Sequence, residues 1–182
     1  MLKNIPNILT SLRIILIPIL VSAFYIDSNI AHYVVVVIFI FASITDFFDG
    51  FLARAWKVQS NFGKMLDPIA DKLLVASTLM MMVNKDIAPI LPTLVILCRE
   101  ILVSGMREYL AELKVKVSLP VSRLAKIKTA AQMVAIIILL LGEETTGIAH
   151  SNLIGEISIW IAAVLTVITG YEYLKQGIKY FD

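Results

Sequence analysis

The sequence predicts an all-α integral membrane protein with six transmembrane helices. Three observations predict it. Hydrophobic residues make up 59% of the 182-residue chain and charged ones only 16%, and the mean hydropathy is +0.86, a balance foreign to water-soluble globules. The apolar residues gather into stretches near the roughly 20 residues that cross a hydrocarbon layer about 30 Å thick. Lysine and arginine fall in alternate connections between those stretches.

The six predicted spans are 8–26, 32–52, 68–83, 88–106, 124–141 and 153–174. The first contains Arg13 and Pro18 and is followed by no A-x-A-like site, so it is expected to stay in the protein and not to be cleaved as a signal peptide. Pro18 is expected to bend this span. Basic residues cluster at Lys3 and Arg13, in segments 54–72 and 107–128, and at Lys175 and Lys179. The opposite connections carry Asp27, His32, Lys85, Asp86, Glu143, Glu144 and His150. The excess of positive charge predicts that the first set, with both termini, is cytoplasmic. His32 and His150 then lie far from any cytoplasmic site. Segment 107–123 mixes apolar and charged residues and predicts a short interfacial helix running on from the fourth span.

The length suits one domain over 1–182, with no internal repeat or low-complexity segment. A net charge of +2 predicts no nucleic-acid partner, because topology and the site described next account for the cations. The one cysteine, Cys98, sits in an apolar run, so it excludes an intramolecular disulfide and is expected to serve in packing.

Chemistry concentrates between Asp46 and Asp71. Asp46, Asp49, Gly50, Ala53 and Arg54 stand three or four residues apart and share one helix face, as do Gly63, Asp67 and Asp71 at intervals of four. A chain reversal between Arg54 and Asp67 would turn these faces toward each other and bring four carboxylates together at the cytoplasmic membrane surface. Like charges that close demand cations. Oxygen ligands without histidine suit Mg²⁺ or Mn²⁺ rather than zinc. Two such ions can clamp the attacking and leaving oxygens of a phosphoryl displacement. Gly50, Ala53 and Gly63 would let a phosphorylated ligand approach the backbone. The simpler alternative is close helix packing on small residues, with the aspartates paired to Arg54, Lys64 and Lys72. It gives no reason for four aspartates.

The run also resembles the signature D-x2-D-G-x2-A-R-x8-G-x3-D-x3-D of the CDP-alcohol phosphotransferase family, and all eight fixed positions match. The resemblance implies a six-helix membrane fold, usually homodimeric, with a cytoplasm-facing active-site cavity in the bacterial inner membrane. It implies that Asp46, Asp49, Asp67 and Asp71 hold two divalent cations, Mg²⁺ or Mn²⁺. Asp49, Gly50, Ala53, Arg54 and Gly63 would bind the CDP moiety, and Asp71 would be the general base.

Beyond the signature, residues 4–10 with Arg13, and segments 45–54, 99–108 and 126–133, resemble bacterial family members that transfer the phosphatidyl group of CDP-diacylglycerol to glycerol 3-phosphate in phospholipid biosynthesis. An anionic acceptor needs cations. Thr10, Arg13, Arg107, Arg123, Lys126 and Lys128 are the expected phosphate contacts, although topology and anionic headgroups also explain basic residues there. Arg99 and Glu100 are expected either to pair within the membrane or to meet substrate. Another alcohol acceptor, or a cation transporter built on the aspartates, remains an alternative. The transporter leaves the spacing of Gly50, Ala53 and Arg54 unexplained.

Overall fold

A computed structural model describes residues 5–56, 61–112 and 123–178. Within them, the side chains described exclude those of 5–8, 46–56, 61–62, 64, 111–112, 123, 125–126, 144 and 176. The described residues form six α-helices and no strand: α1 (Ile5–Ala23), α2 (Asn29–Trp56), α3 (Asn61–Asn84), α4 (Ile90–Glu112), α5 (Arg123–Thr146) and α6 (Ser151–Gly177). Each predicted span has its helix. α6 holds a 25-residue stretch, Ser151–Lys175, of mean hydropathy 1.9, long and apolar enough to cross a membrane, while Leu9–Ala23 and Asn29–Thr45 are shorter apolar helical stretches.

One boundary differs from expectation for a physical reason. α3 begins at Asn61 rather than at Pro68, with Pro68 inside it. Proline removes one backbone donor, a loss that membrane helices tolerate, so Gly63 and Asp67 join Asp71 on one continuous helix. α4 runs on past 106 to Glu112, where a helix continuing from the fourth span was expected, and Leu110 on its last turn is buried. The rest of the expected interfacial helix, residues 113–122, lies outside the described residues.

The chain divides into two compact units, Met1–Lys85 and Asp86–Asp182. In the first, α1 packs against both α2 and α3, with Leu20, Phe39, Leu74 and Met82 fully buried. In the second, α6 packs against α4 and α5, with Ile96, Ile136, Leu140 and Ile159 fully buried. Small residues permit the second unit's close crossings: a Cβ on Gly155 would stand 3.2 Å from the backbone nitrogen of Leu139, and one on Gly170 would stand 2.9 Å from Cγ of Arg99.

α5 breaks near its end at Gly142, where φ 54° and ψ 175° suit glycine alone. The break turns the Glu143 N–H toward Asn152 Oδ1, which accepts it at 2.9 Å. Gly147 and His150, both at positive φ, complete the reversal into α6.

Every helix also leaves large apolar side chains uncovered, among them Ile15, Val37, Leu73, Met80, Ile101, Leu102, Val134, Ile161 and Val164. In water such surface invites association. Against lipid tails it costs nothing, which fits the hydropathy of the chain.

Candidate active site

The candidate site is built on the helices of the first unit. α2 carries Asp46, Asp49, Gly50, Ala53 and Arg54 on helical backbone, but their side chains lie outside the described residues. α3 supplies Gly63, buried, and then Asp67 and Asp71, each half-buried and one turn apart. Two carboxylates on adjacent turns form an oxygen-only pair that fits a hard divalent cation. Among the described residues no group of three or more potential metal ligands gathers; Asp46 and Asp49, half of the predicted set, fall outside that description.

α1 supplies the second side. Thr10 and Arg13 stand three residues apart on α1, both 1% exposed, so these two polar residues turn inward. The Thr10 hydroxyl donates to Oδ1 of Asp67. Sequence reasoning placed Thr10 near substrate phosphate and did not foresee this bond. The signal was present in the shared face of Thr10 and Arg13, but its partner, 57 residues away, carries no local trace.

The cations expected around the acceptor divide. Arg107, exposed on α4, donates from Nη2 to the Tyr173 hydroxyl of α6 at 3.2 Å, with its guanidinium carbon 5.3 Å from the ring centroid. Lys128 is buried on α5 and donates to Oε1 of Glu100 on α4. The side chains of Arg123 and Lys126 lie outside the described residues. Glu100 also accepts from Nη1 of Arg99 at 3.1 Å, so the two residues pair, one of the two roles expected of them. Lys128 makes it a three-residue cluster, which the sequence did not predict.

Comparison with known proteins decides the family. The family model described as CDP-alcohol phosphatidyltransferase matches residues 3–168. The chain belongs to this family. The match runs through both compact units and includes the whole Asp46–Asp71 signature. A CDP-diacylglycerol–glycerol-3-phosphate 3-phosphatidyltransferase of Rickettsia felis is 54% identical over 179 residues, covering 98% of each chain. A protein of the same name from Rickettsia typhi is 53% identical over 99% of this chain and all of its own length. One from Cereibacter sphaeroides is 41% identical, covering 97% of this chain and 96% of its own. CDP-alcohol phosphatidyltransferases are generally dependent on divalent metals, in keeping with the oxygen-only aspartates of the signature.

Proposed function

We propose that the chain transfers the phosphatidyl group of CDP-diacylglycerol to glycerol 3-phosphate, giving phosphatidylglycerophosphate and CMP. The observation that carries this reading is 54% identity over nearly the full length of a relative bearing that activity's name, joined to a signature with no departures.

In this reading Asp46, Asp49, Asp67 and Asp71 hold two divalent cations, Mg²⁺ or Mn²⁺. When bound, the cations neutralise charge on the pyrophosphate and on the departing CMP. Arg54 pairs with the CDP moiety of the donor, while Asp49, Gly50, Ala53 and Gly63 let it lie close to the helices. Asp71 takes the proton from the acceptor hydroxyl, whose oxygen attacks the phosphatidyl phosphorus as the bond to the CMP oxygen breaks. Arg13, Arg107, Arg123, Lys126 and Lys128 are the cations proposed for the acceptor's phosphate. The six helices span a bacterial inner membrane as a homodimer, with both termini and the active-site cavity cytoplasmic and the donor's acyl chains left in the bilayer.

The test is CMP release by the purified protein with CDP-diacylglycerol and Mg²⁺, with and without glycerol 3-phosphate. Release should require glycerol 3-phosphate. Asp71→Asn should lower turnover by roughly 10²- to 10⁴-fold, the usual worth of a positioned base, while donor binding changes far less. Release that requires a different alcohol would overturn the acceptor, and none with any alcohol would overturn the reaction. Orientation is read separately, by labelling cysteines placed at Lys3 and at Lys85 in a Cys98→Ser background with a membrane-impermeant maleimide.

A further inference from the structure

Several described helical hydroxyls bond a backbone carbonyl of their own helix. Ser22 donates to Pro18 O at 2.8 Å, Ser43 to Phe39 O at 2.7 Å, Thr78 to Leu74 O at 2.8 Å and Ser158 to Ile154 O at 2.7 Å, each onto the preceding turn of its own helix. Thr10 reaches further. From a position that is 1% exposed, it crosses from α1 to α3 and donates to Oδ1 of Asp67.

A carboxylate on a helix is free to rotate about its terminal torsion. A buried donor held on a neighbouring helix removes that freedom. A carboxylate that must accept a cation gains from being fixed beforehand, because the entropy of ordering it is then lost on folding and not on binding. We propose that Thr10 is a positioning residue for Asp67: its hydroxyl holds one carboxylate oxygen so that the other is presented to a divalent cation. This rests on the reading above of Asp67 as a cation ligand. It assigns Thr10 to the metal site rather than to substrate phosphate, and it makes the packing of α1 on α3 part of the cation affinity.

The test is Mn²⁺ binding to the purified full-length protein in detergent, read by electron paramagnetic resonance without substrate, for the parent, Thr10→Val, Thr10→Ser and Asp67→Asn. Thr10→Val keeps the branched shape and removes the donor; if it fails to fold, Thr10→Ala takes its place. Removing a partner of a metal-binding group typically weakens affinity by roughly 10- to 100-fold. That loss is expected for Thr10→Val, with recovery in Thr10→Ser and a larger loss in Asp67→Asn. The Mn²⁺ concentration giving half-maximal CMP release should rise in parallel. Unchanged Mn²⁺ affinity in Thr10→Val beside a clear loss in Asp67→Asn would overturn the positioning role alone, and a raised KM for either substrate would then place the hydroxyl on phosphate. Unchanged affinity in Asp67→Asn would overturn the assignment of Asp67, and the proposal with it.

Discussion

Arg99 of α4 donates through Nη2 to Oγ1 of Thr169 on α6 at 3.1 Å. Its other terminal nitrogen holds Glu100, which also receives Lys128 of α5. One carboxylate and two cations therefore tie three helices together within the second unit, and Gly170 lets the arginine stem lie against the α6 backbone.

Thr169→Val removes the acceptor that Arg99 uses on α6. Hydrogen bonds between membrane helices contribute on the order of 1 kcal/mol, so a fall of about that size is expected in the unfolding free energy measured in detergent. Arg99→Lys should not preserve the link, because an ammonium lacks the fork that meets Glu100 and Thr169 together.

Glu100→Gln is expected to destabilise more than Lys128→Met. The first removes the carboxylate that Arg99 and Lys128 share, while the second leaves the 3.1 Å pair of Arg99 and Glu100 intact. Breaking a buried pair from one side costs about 3 kcal/mol; Glu100→Gln should approach that figure. The order of the two thermal midpoints is the readout.

Gly155→Ala and Gly105→Ala should differ in sign. The new methyl at 155 would meet Leu139, including its backbone nitrogen at 3.2 Å, where neither helix can yield, whereas nothing lies within 4 Å of a Cβ at 105. Overpacking costs about 1–3 kcal/mol, while replacing an open helical glycine gains up to about 1 kcal/mol. Thermal unfolding of the two variants beside the parent checks both.

Chelation of divalent cations should abolish CMP release and either Mg²⁺ or Mn²⁺ should restore it. Zn²⁺ should restore little, since the signature offers aspartate oxygens and neither histidine nor cysteine. Add-back to chelated enzyme, with turnover as the readout, tests the donor set.

The helices and the proposed reacting residues were written locally. Six apolar runs and a signature at helical spacing need no partner to be recognised, because a helix closes its own backbone bonds and residues three or four apart share a face on any helix. Asp67 and Asp71 could therefore be assigned to one face from their numbers alone. The helix that carries them could not be fully bounded, since Pro68 reads as a beginning and the chain continues through it.

Which faces meet was not legible, and the reason is the solvent. Ile96 is fully buried and Ile101, five residues on in α4, is 72% exposed. In lipid both positions call for the same apolar side chain, so hydropathy cannot separate core from surface. The bond from Thr10 to Asp67, the seating of Lys128 on Glu100 and the reach of Arg99 to Thr169 join residues 57, 28 and 70 positions apart. Composition and spacing predicted a helical membrane chain with four carboxylates at helical spacing, and the match to the family model showed the family. The partner of each buried polar group follows from helix packing, because the geometry of two helices depends on both and is encoded in neither one.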